Sequence, residues 1–491
     1  MQPLAQLDQR FVWHPFTQMR DWLRREPIVI TAGKGALLRD TTGRAYLDAN
    51  SSIWTNLHGH NHRTINSAIS RQLNKISHSS ALGLANEPAS LLAEKLIAAA
   101  SSPSPHSKST THGARPSEKL AKVFFSDNGS TALEVALKLA YQYIWRTRSG
   151  ACPPALMKKF PPRFLSLGGA YHGDTIGAAS LGHIDLFHQA CSGMLFKTDK
   201  VMSPYCYRCP FNQAKPERND ARNYRKCDWE CVGLVAKKFS AQKKKGNSYA
   251  AFVFEPLMQG AAGMIPQPAG WLKQVTDLAR SHGALLIADE VMTGFGRTGA
   301  ATSENFFACQ REKVHPDFLC LAKGLTGGYL PMAATLTTQR VFDAFLGEYA
   351  EFKTFFHGHS FTGNQLGAAA ALASLGILQT EQSVLQRTRL QKWLAEELQT
   401  LWVLPQVGDI RQVGLVAGIE LVRDWRTRAP FDLRARAGIR VCEAMARRGV
   451  LTRPVGNVIV LMPPYCTTRA QLQQMVAALA EGVAELKNEN S

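Results

Sequence analysis

Short apolar runs alternate with amphipathic stretches from about residue 64 to about residue 340. The short runs predict buried strands, and apolar positions that recur at three or four residues predict helices. Helices are predicted over Thr131–Trp145 and Trp271–His282, with Gly283 ending the second. This alternation predicts a mostly parallel sheet with helices on both faces. Its strands are predicted at Lys122–Ser126, Phe164–Leu167, Tyr249–Glu255, Leu285–Asp289 and Asp317–Leu321.

The two ends of the chain have a different pattern. An aromatic-rich segment, Phe11–Met19, precedes a predicted strand at Ala45–Asn50, and a Gly/Ser/Thr-rich turn at Gly358–Gly363 precedes the C-terminal elements. These are helices over Gln365–Leu378 and 381–400 and strands at Val413–Val422 and Val458–Met462. We therefore expect an α/β protein with a second, smaller α+β domain. The predicted parts are residues 1–63 (N-terminal arm and part of the small domain), 64–345 (large domain) and 346–491 (C-terminal small domain).

The segment Ser101–Ser117 is polar and interrupted by prolines, which predicts a mobile loop. Elsewhere the composition, with 45% hydrophobic and 19% charged residues, is typical of a globular enzyme and excludes overall disorder, collagen and coiled coil. The longest apolar runs are shorter than the roughly 18 residues that cross a bilayer, and the N-terminus lacks a signal pattern. We expect a cytoplasmic protein that does not bind a membrane.

The net charge is strongly basic, since 57 Lys and Arg minus 38 Asp and Glu gives +19. Such a charge can attract nucleic acid or acidic lipid. Here the excess is scattered over patches such as Lys243–Lys245 and Arg434–Arg440, without a long basic arm. This distribution favours a solvated basic surface over nucleic-acid binding.

Lys323 follows a predicted apolar strand and precedes glycines, in a position at the carboxyl end of the sheet, where open α/β sheets bind ligands. A desolvated lysine there can act as a Schiff-base nucleophile. Taken alone, it can equally be a lysine whose stem packs at a strand end while its amine reaches solvent.

Asp289 ends another apolar strand, and a buried carboxylate there needs a partner. It can cap the next helix, pair with an arginine such as Arg297, or face a pyridinium nitrogen. Gly129 and Ser130 lie at a predicted helix N-terminus that suits a phosphate, although any helix cap has a similar sequence. Tyr171, in the turn Gly168–Thr175, offers a ring for stacking on a flat cofactor or for packing in the core.

In the same order along the chain, these elements resemble the class III pyridoxal-phosphate aminotransferases of fold type I. The stretch Leu285–Gly299 followed by Lys323 is similar to that family's signature, and the resemblance extends from about residue 11 to about residue 485. It implies a homodimer with active sites at the subunit interface and pyridoxal 5'-phosphate as cofactor.

The resemblance also implies a role for each matching residue. Lys323 would bond to the cofactor and carry a proton, and Asp289 would face the pyridine nitrogen. Tyr171 would stack on the ring, and Gly129 with Ser130 would hold the phosphate.

Glu255 would lie near the active site. His359 and Ser360 would reach the phosphate of the partner subunit.

Three segments are similar to the family members that act in biotin biosynthesis: WHPFTQM at 13–19, Ser51–Trp54 with His58–His60, and Thr452–Pro454. The similarity implies conversion of 8-amino-7-oxononanoate to 7,8-diaminononanoate, with S-adenosylmethionine as amino donor. Arg453 would bind the keto acid's carboxylate through its planar fork, although by itself it would suggest a surface salt bridge. The implied substrate-binding residues are Phe16, Ile53, Trp54, Lys323, Gly358 and Arg453.

Two positions depart from that pattern, because Phe16 and Ile53 stand where many of these members have tyrosine and tryptophan. A branch of the family uses L-lysine as donor, and Phe355–Asn364 with Gly408–Gln412 is similar to it. L-Lysine is therefore an alternative donor. Transamination of another ω-amino acid or a diamine is a second alternative, and a non-catalytic nucleic-acid-binding protein is a third.

Four cysteines form a CxxC pair and a CxxxC pair within one polar stretch. Such spacing can hold a structural zinc ion or an iron–sulfur cluster, and free thiols are the alternative. The candidate ligands are Cys206, Cys209, Cys227 and Cys231.

Overall fold

The structure is a computed structural model and describes residues 3–101, 119–148, 161–299 and 306–486. Apart from Ser101, the predicted mobile loop Ser101–Ser117 lies outside these residues. Within the described part of the chain, each helix is too short or too polar to pass through a bilayer.

A seven-stranded sheet forms the centre of the molecule. Six of its strands run in one direction, and Ala333–Thr338 alone is antiparallel to both of its neighbours. The predicted mostly parallel sheet is therefore confirmed, but the antiparallel strand was not predicted. In spatial order the strands are Leu120–Ser126, Ala333–Thr338, Phe318–Leu321, Leu285–Asp289, Tyr249–Phe254, Arg163–Leu167 and Asp199–Val201.

The central strands are buried along their whole length, as in Tyr249–Phe254 and Leu285–Asp289. Parallel strands are buried in this way because helices pack on both faces of the sheet. Strands buried on both faces have continuous apolar sequences, which is why the continuous apolar runs were predicted as strands. Around the three larger sheets, the longer helices are Pro3–Phe11, Arg63–Lys75, Glu87–Ser101, Gly129–Arg148, Glu230–Lys244, Trp271–Ser281, Gln365–Leu378, Glu381–Gln399, Ala437–Arg447 and Arg469–Glu485. The shorter ones include Met19–Trp22, Ile176–Ser180, Asp185–His188, Ala221–Tyr224, Ala308–Arg311 and Gln339–Asp343.

A four-stranded sheet joins the two ends of the chain, because Val450–Leu451 pairs in parallel with Ala45–Asp48. Its other strands are Ile30–Lys34 and Leu37–Asp40. The expected smaller domain built from both chain ends is thus confirmed. The exact boundaries at residues 63 and 345 remain predictions.

Another sheet, in which neighbouring strands are antiparallel, belongs to the C-terminal part of the chain. The predicted single strand Val413–Val422 is wrong, since Gly414 adopts a φ of +61° and turns the chain between two strands. The observed strands are Val407–Val413, Val416–Asp424, Ala429–Pro430, Pro454–Val455 and Val458–Leu461. A short hairpin, Met258–Gln259 with Ile265–Pro266, completes the sheets.

Candidate active site

A cavity of about 430 Å³ lies at the carboxyl ends of the parallel strands. Its volume is within the range of small-molecule sites. Lys323, Asp289, Glu255, Tyr171 and Gly129 each follow or end a different strand of the large sheet and line this cavity. Because these strands run in the same direction, their ends meet at one edge of the sheet. The sheet thus brings together side chains that are far apart in sequence.

Lys323 occupies one wall of the cavity in a strained backbone conformation, with φ of +41°. Positive φ in a residue with a side chain is uncommon and clusters at functional sites. The Lys323 Nζ lies 4.6 Å from the centre of the Trp54 ring. Burial lowers the pKa of Lys323, and the charges of Asp289 and Glu255 oppose that shift. A lowered pKa makes the amine more available as a nucleophile.

Asp289 is 5% exposed, and each of its carboxylate oxygens has a partner. Oδ2 is 2.7 Å from Nδ1 of His172, and Oδ1 accepts a hydrogen bond from the amide of Val291 at 3.1 Å. Arg297, which the sequence offered as a possible partner, instead donates to the carbonyl of Pro463 and lies over the Tyr465 ring. The strand-end carboxylate is therefore fixed by a histidine.

His172 is fully buried, and its pairing with Asp289 was not predicted from the sequence. Burial lowers the pKa of His172, but the hydrogen bond to Asp289 and the charges of Asp289 and Glu255 outweigh this, and the pKa is raised. His172 and Asp289 therefore form a buried pair in the wall of the cavity. The only sequence signal was its place next to Tyr171.

The N-terminus of the helix Gly129–Arg148 forms a second wall of the cavity. The first amides of a helix lack intrahelical partners and suit an anion. Asn128 occupies one of them, since its Oδ1 accepts from the amide of Thr131. Gly173 allows close packing here, because a Cβ at its position would lie 1.9 Å from the Oγ of Ser130.

Tyr171 lines the mouth of the cavity, and its hydroxyl donates to Oδ2 of Asp174 at 2.7 Å. Burial raises the pKa of Tyr171, with a further contribution from Asp174, so that the phenol stays neutral. The ring of Phe16 contacts Tyr171 edge-to-face with centroids 6.3 Å apart. Phe16 itself is exposed and lies outside the cavity lining.

Of the remaining predicted substrate residues, only Trp54 lines the cavity. Its neighbour Ile53 is 44% exposed. Arg453 is exposed, and its guanidinium donates to the backbone carbonyl of Phe16 at 3.4 Å. Ile53 and Arg453 therefore both lie outside the cavity lining, and their role in substrate binding stays a prediction.

The loop Gly358–Gly363 is also peripheral. His359 Nε2 lies 3.3 Å from a carboxylate oxygen of Asp127, which lines the cavity of the same chain. Gly358 and Ser360 are outside the lining. The role of this loop in a partner subunit's site stays a prediction.

Several lining residues had no recognisable sequence signal. They lie in irregular loops, where neither strand nor helix spacing indicates which side chain faces the cavity. They are Thr55, Asn128, Ala261, Val291, Met292 and the segment 328–332.

The predicted metal site is not supported. All four cysteines lie within the described residues, and among those residues no group of three or more His, Cys, Asp or Glu side chains is arranged to hold a metal ion. Burial raises the pKa of Cys206 to about 12 and that of Cys231 to about 11, which keeps both as thiols.

Other contacts hold the cysteine-containing stretch in place. Cys206 packs in a small apolar cluster with Tyr207 and Tyr224. Arg208 donates to Glu420 at 2.6 Å, and Arg218 donates to the carbonyl of Val407 at 2.6 Å. These contacts tie the cysteine-containing stretch to the C-terminal antiparallel sheet.

Comparison with known proteins gives full-length matches. A family profile described as "Aminotransferase class-III" matches residues 19–483. A Geobacter sulfurreducens protein named adenosylmethionine-8-amino-7-oxononanoate aminotransferase is 45% identical over 98% of this chain and 97% of its own length. The Nitratidesulfovibrio vulgaris protein of the same name is 47% identical over 96% of this chain and 80% of its own length. The crystal structure of the Methanocaldococcus jannaschii protein of that name has a TM-score of 0.83 and 38% identity, over 98% of both chains. An amine transaminase from an uncultivated Pseudomonas species, in its PLP-bound form, has a TM-score of 0.82 and 32% identity, over 97% of this chain and 98% of that one.

Proposed function

The chain belongs to the class III aminotransferases and is a pyridoxal-phosphate-dependent transaminase, and from that premise we propose that it converts 8-amino-7-oxononanoate to 7,8-diaminononanoate in biotin biosynthesis. The observation that carries the proposal is the single cavity in which Lys323 and Asp289 meet the N-terminus of the helix Gly129–Arg148. The choice of substrate is supported by the names of relatives that match this chain over nearly its full length.

The residues present fit pyridoxal phosphate. The cofactor needs an amine for its aldehyde, an acid for its ring nitrogen and amides for its phosphate. Lys323, Asp289 and the helix start at Gly129 offer these three groups in one cavity. We propose that Tyr171 packs on the ring and that Ser130 adds its hydroxyl to the phosphate site.

When bound, pyridoxal phosphate supplies an electron sink that stabilises negative charge at the substrate's reacting carbon. Lys323 would hold the cofactor through its Nζ, and the same amine would move a proton from the donor's reacting carbon to the cofactor and, in the second half-reaction, from the cofactor to the reacting carbon of the keto acid. Asp289, oriented by His172, would keep the ring nitrogen protonated. The side chains of Trp54 and Met292 contribute apolar surface to the wall of the cavity.

Arg453 is proposed to bind the carboxylate of the keto acid. Its exposed guanidinium lies beside Phe16, and a planar fork matches a carboxylate. We propose S-adenosylmethionine as the amino donor and L-lysine as the alternative. The reason to keep lysine is the phenylalanine at position 16, which contacts Tyr171 without the hydroxyl that many relatives of this type carry.

We infer further that two copies associate and that His359 and Ser360 contribute to the partner subunit's phosphate site. Large apolar side chains are exposed close to that loop, among them Leu82, Phe356 and Phe361. Exposed apolar patches of this kind mark interfaces. We also propose residues 64–345 as the cofactor-binding domain, in a protein of the cytoplasm.

The decisive experiment follows each half-reaction by the loss of absorbance of the lysine-bound cofactor. S-Adenosylmethionine and L-lysine are supplied in parallel, and 8-amino-7-oxononanoate is then added to restore the absorbance. We expect one of these donors to discharge the signal and the keto acid to recover it. If only an ω-amino acid or a diamine discharges the signal, the substrate assignment is wrong although the family assignment stands.

A further inference from the structure

The segment Ser51–Trp54 forms a left-handed turn beside the active site. Its four residues have φ values of +46°, +46°, +64° and +71° in succession, and none is glycine. Left-handed backbone is unfavourable for residues with a side chain, most of all for a β-branched one such as Ile53. A run of this kind persists only where surrounding groups hold it in place.

Asp48 is the group that holds the start of this turn. Its carboxylate is 3% exposed and accepts hydrogen bonds from the amide of Ser52 at 2.9 Å and from the Ser52 hydroxyl at 2.8 Å. The amide of Asn50 lies 3.3 Å from the same carboxylate. One buried side chain thus satisfies the polar groups that the turn leaves without regular helical partners.

His60 holds Asp48 from the other side. Its Nε2 is 2.9 Å from Asp48 Oδ2, and its Nδ1 is 2.9 Å from the side-chain amide of Asn56. The ring is fixed against Gly33, where a Cβ would lie 2.8 Å from the Cβ of His60. Asn56 in turn donates its backbone amide to the carbonyl of Ser51, so the chain of contacts closes on the turn.

The other end of the turn reaches the reacting lysine. Trp54 lines the cavity with its ring centre 4.6 Å from Lys323 Nζ. Gly328, which follows Lys323 closely in sequence, packs against Asn56. A Cβ at position 328 would lie 2.9 Å from the Cα of Asn56. Movement of the turn would therefore move the ring that covers the lysine.

Taking Lys323 as the cofactor-bearing lysine of the proposed function, we propose that Asp48 and His60 are positioning residues. They hold Ser51–Trp54 in its left-handed conformation, and this conformation places the Trp54 ring over Lys323. Neither residue lines the cavity, so they act through the turn and not on the substrate.

The test compares Asp48→Asn with a matched control, Asp40→Asn. Asp40 belongs to the same small sheet and caps a turn with a similar set of bonds, from the amide and hydroxyl of Thr42, the amide of Arg44 and the hydroxyl of Tyr46. Asp40 is remote from the lining of the cavity. Both variants remove a buried capping carboxylate, but only Asp48→Asn loosens the turn that carries Trp54.

The readout is the pH midpoint at which the absorbance of the cofactor bound at Lys323 changes, measured with the thermal midpoint of each variant. We expect Asp48→Asn to shift the pH midpoint by about half a pH unit, the size of a lost ring–cation contact. Trp54→Phe should shift it in the same direction, and the two changes should not add. Asp40→Asn should lower the thermal midpoint and leave the pH midpoint unchanged.

A rescue variant separates conformation from general stability. Ser52→Gly in the Asp48→Asn background removes the steric cost of positive φ at one position and should restore at least half of the shift in pH midpoint. If Asp48→Asn does not fold, His60→Gln is measured in its place with the same expectation for the pH midpoint.

Equal behaviour of the two aspartate variants would overturn the inference, because Asp48 would then act on stability alone. A wild-type absorbance that does not depend on Lys323 would instead refute the proposed function. The two failures are therefore distinguishable.

Discussion

Glu255→Gln should stabilise the cofactor-free protein above neutral pH. Glu255 is 7% exposed and faces the cavity; its Oε2 accepts from the amide of Gly260 at 2.8 Å, while Oε1 has no hydrogen-bond partner among the described residues. Burial raises the pKa of Glu255 from 4.5 to about 7, opposed by His172 and reinforced by Asp289. The folded protein therefore holds this proton more tightly than the unfolded chain does.

The sign and size follow from proton linkage. A group whose pKa is raised on folding contributes its full stability below pH 4.5, and that contribution is lost as the pH rises towards 7. This increase in the pKa of Glu255 corresponds to about 3 kcal/mol. With an unfolding entropy of about 1 kcal/mol per kelvin for a chain of this length, the thermal midpoint changes by about 3 °C. Glutamine has nearly the same shape as glutamate but does not ionise. The variant should therefore not lose stability at this position as the pH rises.

Calorimetry of the cofactor-free wild type and variant at pH 5 and pH 8 measures the effect. The midpoint of the variant minus that of the wild type should rise by about 2 °C between the two pH values, because part of the contribution is already lost at pH 5. Glu443→Gln, at a surface glutamate whose side chain is 43% exposed, serves as the control and should show no comparable rise. A difference for Glu255→Gln that stays constant or falls with pH would show that this carboxyl is not buried against the cavity wall as described.

Three further predictions concern Lys323, Arg453 and the buried Arg411. Lys323→Ala should lose both the absorbance of the bound cofactor and transamination, and an active variant with wild-type absorbance would contradict the proposed role. Arg453→Ala should raise KM for the keto acid about 10- to 100-fold and KM for the donor much less, since a hydrogen bond to a charged group contributes about 1.5–3 kcal/mol; equal changes for both substrates would remove this assignment. Arg411→Met should lower stability by about 3–5 kcal/mol, because Arg411 bridges Asp409 at 2.9 Å and Glu420 at 2.6 Å in the interior; calorimetry that shows a neutral effect would contradict it.

The local pattern of the sequence predicted part of the regular elements. Leu285–Asp289 and Gln365–Leu378 have the predicted bounds, since continuous burial and helical spacing are properties of neighbouring residues. Other elements, among them the helices Arg63–Lys75 and Ala437–Arg447, were not predicted. Ala333–Thr338 has small and hydroxyl-bearing residues, and only its place between two partner strands defines it as a strand.

The sequence by itself also predicted that the candidate residues at the strand ends lie close together, because the carboxyl ends of parallel strands meet wherever such a sheet forms. Only the tertiary structure decided their partners. The pairing of His172 with Asp289 and the left-handed turn that brings Trp54 to Lys323 depend on chain segments distant in sequence. Local spacing specifies which face of an element a side chain occupies, whereas the distance between two side chains on different elements depends on how those elements pack.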